Sequence, residues 1–319
     1  MPGERICMVV PCYNEEIALP LFIDKMQEVR KNLQDKLGLG LEYIFVDDGS
    51  TDGTSVFLKR YCAEDPNAHY IRLSRNFGKE AAIYAGLRAS KADLTGLIDC
   101  DLQDPPELLV EMAEAILREG YDCGAARRVS RTGEPVVRSL FAKCFYRFMD
   151  IFTNTAIPDG ARDFRLMNRN MCDAVLRLCE YNRFSKGIFS WVGFDTKWIA
   201  YENRQRVAGS TKWSFRKLSR YAFDGIIGFT VRPLEIAAWA GVFFFVLSFV
   251  GILFVVIRKI LFGDPVAGWP SMVCIILFCS GVQLFCTGII GEYLAKTYVE
   301  VKRRPICIIK ETDIKDFKL

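Results

Sequence analysis

The sequence predicts an α/β domain built on a mostly parallel sheet, followed by interfacial helices and a hairpin of two transmembrane helices. Three observations carry this. Four apolar runs in the first hundred residues each break into a charged loop, with helical spacing between them. Residues 236–257 and 272–290 hold no charged side chain and approach the ~20 residues needed to cross a bilayer core. Just before them, residues 213–229 set an aromatic stripe against a basic face. At 319 residues the chain has room for about two domains.

The first run, residues 6–11, ends in Cys12-Tyr13-Asn14-Glu15-Glu16. Leu19, Phe22, Ile23, Met26 and Val29 then follow helical spacing through about Leu37. Residues 43–46 form the next strand and end in Asp47-Asp48-Gly49-Ser50-Thr51-Asp52-Gly53. A third, near residues 70–73, ends in Ser74-Arg75-Asn76-Phe77-Gly78-Lys79. The fourth, residues 94–98, runs into Asp99-Cys100-Asp101, then Gln103, Asp104 and two prolines, and those last three start the next helix. A further strand over residues 122–125 precedes Arg127 and Arg128. The pattern is βαβαβαβ, which gives a parallel sheet with helices on both faces.

Ligands of such sheets bind beyond the carboxyl ends of the strands. One acidic loop after a strand is ordinary capping, since Asp, Ser, Thr and Gly are the usual turn residues. Four successive charged loops at one edge describe instead a rim around a charged ligand. Asp99 and Asp101 at the end of a buried strand repel each other unless a cation sits between them. Hard oxygen donors favour Mg²⁺ or Mn²⁺, ions that reach proteins through one or two carboxylates plus substrate phosphates.

The apolar segments read as two spans, with Lys212, Arg216, Lys217, Arg220 and Arg232 before the first and Lys296, Lys302, Arg303 and Arg304 after the second. Only Arg258 and Lys259 lie between, so both chain ends and the α/β domain are expected on the cytoplasmic side. Nothing at the N-terminus resembles a signal peptide. The expected division is 1–212 for the α/β domain, 213–231 for a juxtamembrane amphipathic helix, 232–295 for the spans and 296–319 for a cytoplasmic tail. Residues 138–152 carry a second aromatic stripe, open to reading as core or as membrane surface. The 12 cysteines form no Cys-x-x-Cys pair and His69 is the one histidine, which excludes a zinc site. A net charge of +4 without a basic, aromatic-interleaved tract excludes nucleic acid as a partner.

PCYNE (Pro11 to Glu15), DDGSTDGT (Asp47 to Thr54), RNFGK (Arg75 to Lys79) and DCDLQDPP (Asp99 to Pro106) resemble the four N-terminal signatures of family 2 glycosyltransferases with the GT-A fold. More narrowly, the chain is similar to the polyprenyl-phosphate glycosyltransferases, the group of dolichol-phosphate mannose synthases and bactoprenol glucosyltransferases. The resemblance covers nearly the whole chain, including the two spans typical of the bactoprenol branch. It implies that Pro11, Tyr13, Glu15, Asp47 and Asp48 hold the nucleotide's base and ribose, and that Lys79, Asp99 and Cys100 also line the donor site. Asp101 and Gln103 would ligate Mg²⁺ or Mn²⁺, with Asp99 nearby on the nucleotide side. Arg127 matches an arginine that reaches the donor phosphates, although its neighbour Arg128 serves the same reading.

In GARDFRLMNR, Asp163 matches the carboxylate credited as catalytic base. Positioning the acceptor or the sugar explains it as well, because a phosphate monoester, with a second pKa of ~6, is already anionic near pH 7. RQRVAGSTKW resembles the family's Arg-x-x-Gly-x-Ser-Lys loop, with Thr211 in the serine's place. Arg206 and Lys212 on it are candidate phosphate contacts on a closing lid, and the same stretch also reads as a basic juxtamembrane segment. Asp163, Asp101, Arg206 and Lys212 form the candidate catalytic set. The expected activity is inverting transfer of one sugar from a UDP- or GDP-linked donor to undecaprenyl or dolichyl phosphate, and the group's habit of association allows a homo-oligomer. A processive polysaccharide synthase would carry a Gln-x-x-Arg-Trp motif and more spans, neither of which is visible, and a non-catalytic scaffold would not need the full set of cations.

Overall fold

The structure is a computed structural model that describes residues 5–129, 158, 160–202, 230–262, 268–315 and 317. It divides into two compact units, Met1–Ala222 with Arg304–Leu319, and Phe223–Arg303. Two expected interfacial helices, 138–152 and 213–229, lie outside the described residues.

The first unit is organised by an eight-stranded sheet in the order β7-β5-β6-β4-β1-β2-β3-β8. Its first half follows the expected alternation: β1 (Arg5–Cys12), α1 (Ala18–Leu37), β2 (Gly40–Asp47), α2 (Thr54–Glu64), β3 (Ala68–Leu73), α3 (Lys79–Ala89) and β4 (Leu94–Leu97). Then come α4 (Leu108–Leu117), β5 (Cys123–Arg128), β6 (Ala161–Asn168), α5 (Arg169–Arg177), α6 (Ser185–Trp191) and β7 (Thr196–Tyr201). The four expected strands lie parallel side by side, with Val9 level with Ile44 and Leu97.

Alternation along β1 explains why its sequence is apolar throughout. Ile6, Met8 and Val10 join Leu19, Phe22, Met26 and Leu33 of α1 in one core cluster. Val9 faces the other way, towards Gly86 of α3, where an added Cβ would come within 2.2 Å of the valine. Phe45 is fully buried among Phe22, Tyr43 and Tyr61, at ring-centroid distances of 6.5, 5.8 and 6.0 Å. Truncating such a ring to alanine costs about 3–5 kcal/mol. Gly38 ends α1 in a left-handed conformation, its N–H turned back to Gln34.

Two strands depart from the expected parallel sheet. β6 inserts antiparallel between β4 and β5, pairing Leu97 with Arg165 and Cys123 with Met167. β8 (Ile309–Thr312), from the segment read as a tail, adds antiparallel to the free side of β3. The departure has a physical reason: β3 ends the parallel series, and an exposed strand edge invites pairing that a short returning segment can supply.

The second unit holds two long helices, α7 (Arg232–Phe262) and α8 (Trp269–Val301), which contain the expected spans and extend beyond them. Both are long and apolar enough to cross a membrane. Trp239, Phe245 and Leu284 are each more than 70% exposed, so the apolar surface is turned outward, as hydrocarbon contact requires. The rings of Phe244 and Phe278 meet edge to face at 5.3 Å, and the Tyr293 hydroxyl donates to the Thr230 carbonyl at 2.6 Å.

Candidate active site

Four strand-end loops meet at the carboxyl edge of β1 to β4, and polar side chains knit them together. The Asn14 amide donates to Ser50 Oγ at 3.0 Å, and Asn14 Oδ1 accepts from the Thr51 amide at 2.9 Å. The Glu15 amide donates to Thr54 Oγ1 at 2.9 Å. Asp48 reaches across to the third loop, accepting from the Phe77 and Gly78 amides at 2.7 and 2.9 Å. Gly49, at φ +69°, lies so close to that loop that an added Cβ would stand 2.5 Å from the Arg75 carbonyl carbon. Only glycine accommodates both the backbone angle and the approach.

Asp47 and Asp48, the expected ribose and base contacts, are buried at 1% and 3% exposure. Asp47 accepts from the Ser50 amide at 2.8 Å, with Arg72 Nε 3.5 Å from its other oxygen. Burial raises the Asp48 pKa against the pull of the two amides. The pair thus anchors loops by these bonds, while Tyr13 is 37% exposed and Glu15 half-buried. Cys100 is also a core residue, 3% exposed and in the same apolar cluster as Cys12, so its side chain is turned from the rim.

The charged centre lies between β4 and β6. The antiparallel pairing of Leu97 with Arg165, continued by two residues, brings Asp99 opposite Asp163. Lys79, first residue of α3, sits between them, with Nζ 2.8 Å from Asp99 Oδ2 and 2.5 Å from Asp163 Oδ2. Burial opposes the lysine's charge, and Asp163 and Asp99 outweigh it, raising its pKa. Asp163 is likewise raised by burial, but Lys79 and then Lys186 bring it well below the usual carboxylate range. Asp99 moves upward, because burial and the neighbouring Asp163 exceed what Lys79 returns. The lysine side chain keeps 40% of its surface, so the cluster is open to a ligand and screened by solvent.

Beside this centre, the loop after β4 is held by a residue that the sequence does not announce. Arg162 donates from Nε to Asp104 at 2.8 Å and from Nη2 to Gln103 Oε1 at 3.2 Å. Tyr201 completes the arrangement with a short hydrogen bond to Asp104. Asp104 is 2% exposed and does not start the following helix, whose N-cap is Glu107. The Gln103 amide donates to Asp101 Oδ1 at 3.1 Å, and Leu102 between them holds φ +55°, a conformation uncommon outside glycine. A second missed group is Glu80, which accepts from the Ser185 amide at 3.0 Å and so fixes α6, the helix that carries Lys186. Arg127, the expected phosphate contact, is exposed on β5. Arg206 and Lys212 lie outside the described residues.

The oxygen donors here suit a hard divalent ion. Among the described residues, no group of three or more His, Cys, Asp or Glu side chains forms a metal site. Asp101 and Gln103, half-buried on a strained turn, are the residues that would hold such an ion.

The family model for Glycosyl transferase family 2 matches residues 7–176, which span all of this rim. The chain belongs to that family. The model for the GtrB C-terminal hairpin matches residues 232–297 of this family 2 glycosyltransferase. A bactoprenol glucosyl transferase derived from prophage SfII of Shigella flexneri is 37% identical over 308 residues, covering 97% of this chain and 98% of its own. A prophage bactoprenol glucosyl transferase homolog of Escherichia coli K12 is 36% identical, with 96% and 98% covered. An uncharacterized glycosyltransferase of Synechocystis, sll0501, is 39% identical, with 96% and 95% covered. Among solved structures, glucosyl-3-phosphoglycerate synthase of Mycobacterium tuberculosis, in complex with Mn²⁺, UDP-glucose and phosphoglyceric acid, is a distant neighbour. It is 19% identical with a TM-score of 0.45, covering 69% of this chain and 77% of its own. By the two family models and these full-length relatives, the mixed, mostly parallel GT-A-like sheet and the apolar hairpin belong to a glycosyltransferase.

Proposed function

We propose that the protein transfers one sugar from a UDP- or GDP-linked donor to a polyprenyl phosphate at the cytoplasmic membrane face, with inversion at the anomeric carbon. One observation carries this reading: a charged strand-end cluster and a hairpin of membrane length occur on one chain. Relatives matching this chain over 96–97% of its length are named for bactoprenol glucosyl transfer, which supports the acceptor class.

The donor's nucleotide lies along the rim by Pro11, Tyr13 and Glu15, with its diphosphate over the end of β4. Asp101 and Gln103 would hold Mg²⁺ or Mn²⁺, and such an ion would supply neutralisation of charge on the departing diphosphate. Lys79, fixed by two carboxylates, presents a preorganised cation to the same region. Arg127, Arg206 and Lys212 add phosphate contacts. Lys79 and then Lys186 hold Asp163 well below the usual carboxylate range, which favours positioning that cation over collecting a proton. The acceptor brings its own nucleophile: a phosphate monoester with a second pKa of ~6 attacks as the dianion, opposite the leaving group, which inverts the centre.

Incubation with a panel of labelled UDP- and GDP-sugars, Mg²⁺ and undecaprenyl phosphate tests the reading. A chloroform-soluble product carrying one sugar is expected. No lipid product with any donor overturns it, and a growing polymer indicates a synthase.

A further inference from the structure

The last strand lies beyond both family matches, which end at residues 176 and 297. Its attachment is nevertheless dense. β8 pairs Thr312 with Ile71, Glu311 with Arg72 and Ile309 with Leu73. Glu311 accepts from the Tyr70 hydroxyl at 2.9 Å and pairs with Lys59 at 2.7 Å. Thr312 donates to the Tyr70 carbonyl at 2.8 Å, while Asp313 accepts from the Tyr70 amide at 2.8 Å and meets His69 at 3.1 Å.

Upstream of β8 the same segment reaches the donor loop. The Ile308 carbonyl accepts from the Ser74 amide at 2.9 Å. Cys307 is 2% exposed, with Sγ 3.8 Å from the Ala81 carbonyl in the first turn of α3. Its thiol is pushed up to about 11 by burial and then by the Asp48 carboxylate. Residues 74–79 are therefore gripped from two sides. Asp48 takes the Phe77 and Gly78 amides, and Cys307 and Ile308 close on Ser74 and Ala81. The loop has no ladder of its own, passes through Gly78 at φ +102°, and delivers Lys79 to Asp99 and Asp163.

We propose that residues 307–313 are a positioning strap for the donor site, fixing the Ser74–Lys79 loop and with it the cation that meets the donor's diphosphate. The nature of that ligand, a nucleoside diphosphate, rests on the function proposed above. A four-residue strand at the edge of the sheet pairs on one side alone, so it can loosen without unfolding the sheet. Its effect is then confined to the loop it holds.

The test uses full-length protein in detergent micelles. One variant combines Glu311→Ala with Asp313→Ala, removing ties to β3 far from the charged centre. A second, Cys307→Phe, forces volume against α3, and Lys310→Ala, at an exposed position of β8 whose side chain makes none of these ties, is the control. In the first two, amide exchange at Ser74, Phe77 and Gly78 should quicken about tenfold or more while exchange in β1 and β2 holds. Donor KM should rise about tenfold with kcat changed less than about threefold, and Lys310→Ala should stay within about threefold of wild type in both. Unchanged exchange at residues 74–79, exchange quickened equally through β1 and β2, or a fall in kcat at unchanged KM each overturns the strap. Exchange is read without nucleotide. A wild type that binds neither UDP nor GDP thus overturns the proposed function, while the exchange result still decides the strap.

Discussion

Lys79 Nζ stands 2.8 Å from Asp99 and 2.5 Å from Asp163, so one ammonium group joins the end of β4 to the start of β6. Replacing it in Lys79→Met leaves two carboxylates facing each other. At least one then has a folded-state pKa above its unfolded value of ~4. A carboxyl group raised on folding binds more protons folded than unfolded, so stability falls as pH rises above ~4. The Tm gap between wild type and Lys79→Met should therefore widen from about pH 5 to about pH 7.5, reaching roughly 2–6 °C. Thermal unfolding at the two pH values checks the sign, and a gap that narrows would show that Lys79 does not neutralise this pair. Activity should fall about 100-fold through loss of a preorganised cation.

Asp163 should behave as a counter-ion. Burial would raise its pKa, but Lys79 and Lys186 carry it well below the ordinary range, while a useful base titrates near the working pH. Asp163→Asn is expected to lower kcat about 100-fold by releasing Lys79, and to leave the acidic limb of the pH–rate profile near the acceptor phosphate's second pKa of ~6. Loss of that limb in the variant would restore the base.

The rim of the sheet was legible because each strand ends where an apolar run breaks into charge, a pattern local to the sequence. Local patterns also misled. Asp104 before two prolines has the look of a helix start, yet its partner Arg162 lies 58 residues away, and nothing local connects them. Lys79 and Asp163 are 84 residues apart and meet only because β6 runs antiparallel beside β4. Asp47 and Asp48 carry the residue types of ligand contacts, while their burial and their bonds to neighbouring loops depend on the third loop closing over the second, which no local pattern records. The short, polar β8 has too little apolar character to announce a strand, because its place is set by the open side of β3.

The group around Asp104 should be the most fragile polar site in the catalytic unit. Asp104 is 2% exposed and depends on Arg162 and Tyr201. Arg162→Met leaves a buried carboxylate without its cation, at a cost of about 3–5 kcal/mol. Tyr201→Phe removes one hydrogen bond to a charge and should cost about 1.5–3 kcal/mol. Denaturant unfolding followed by tryptophan fluorescence checks the order, and equal effects of the two would mean that the ion pair adds nothing.

Asp48 offers a second stability test with a local cause. Asp48→Ala strands the Phe77 and Gly78 amides, and each unsatisfied buried amide costs about 1–3 kcal/mol. A total loss of about 2–6 kcal/mol is expected, together with weaker nucleotide binding, since the freed loop carries Lys79. Calorimetric titration with UDP and GDP, at a temperature where the variant is folded, reads the second effect. Full nucleotide affinity in a destabilised variant would separate the loop from the donor site.

Metal binding should require the diphosphate. The described residues gather no three-ligand group, and Asp101 with Gln103 offers one carboxylate and one amide oxygen. Such a pair holds Mg²⁺ or Mn²⁺ weakly until substrate oxygens complete the shell. Mn²⁺ followed by electron paramagnetic resonance should therefore bind poorly to the protein alone and tightly with a nucleoside diphosphate. Asp101→Asn should abolish the increment and lower turnover about 100-fold, and chelation of the ion should do the same to wild type. Gln103→Ala should weaken the increment less, because Arg162 shares that amide oxygen and the carboxylate carries the charge. Tight Mn²⁺ binding without nucleotide, or an increment that survives Asp101→Asn, would place the ion on other ligands.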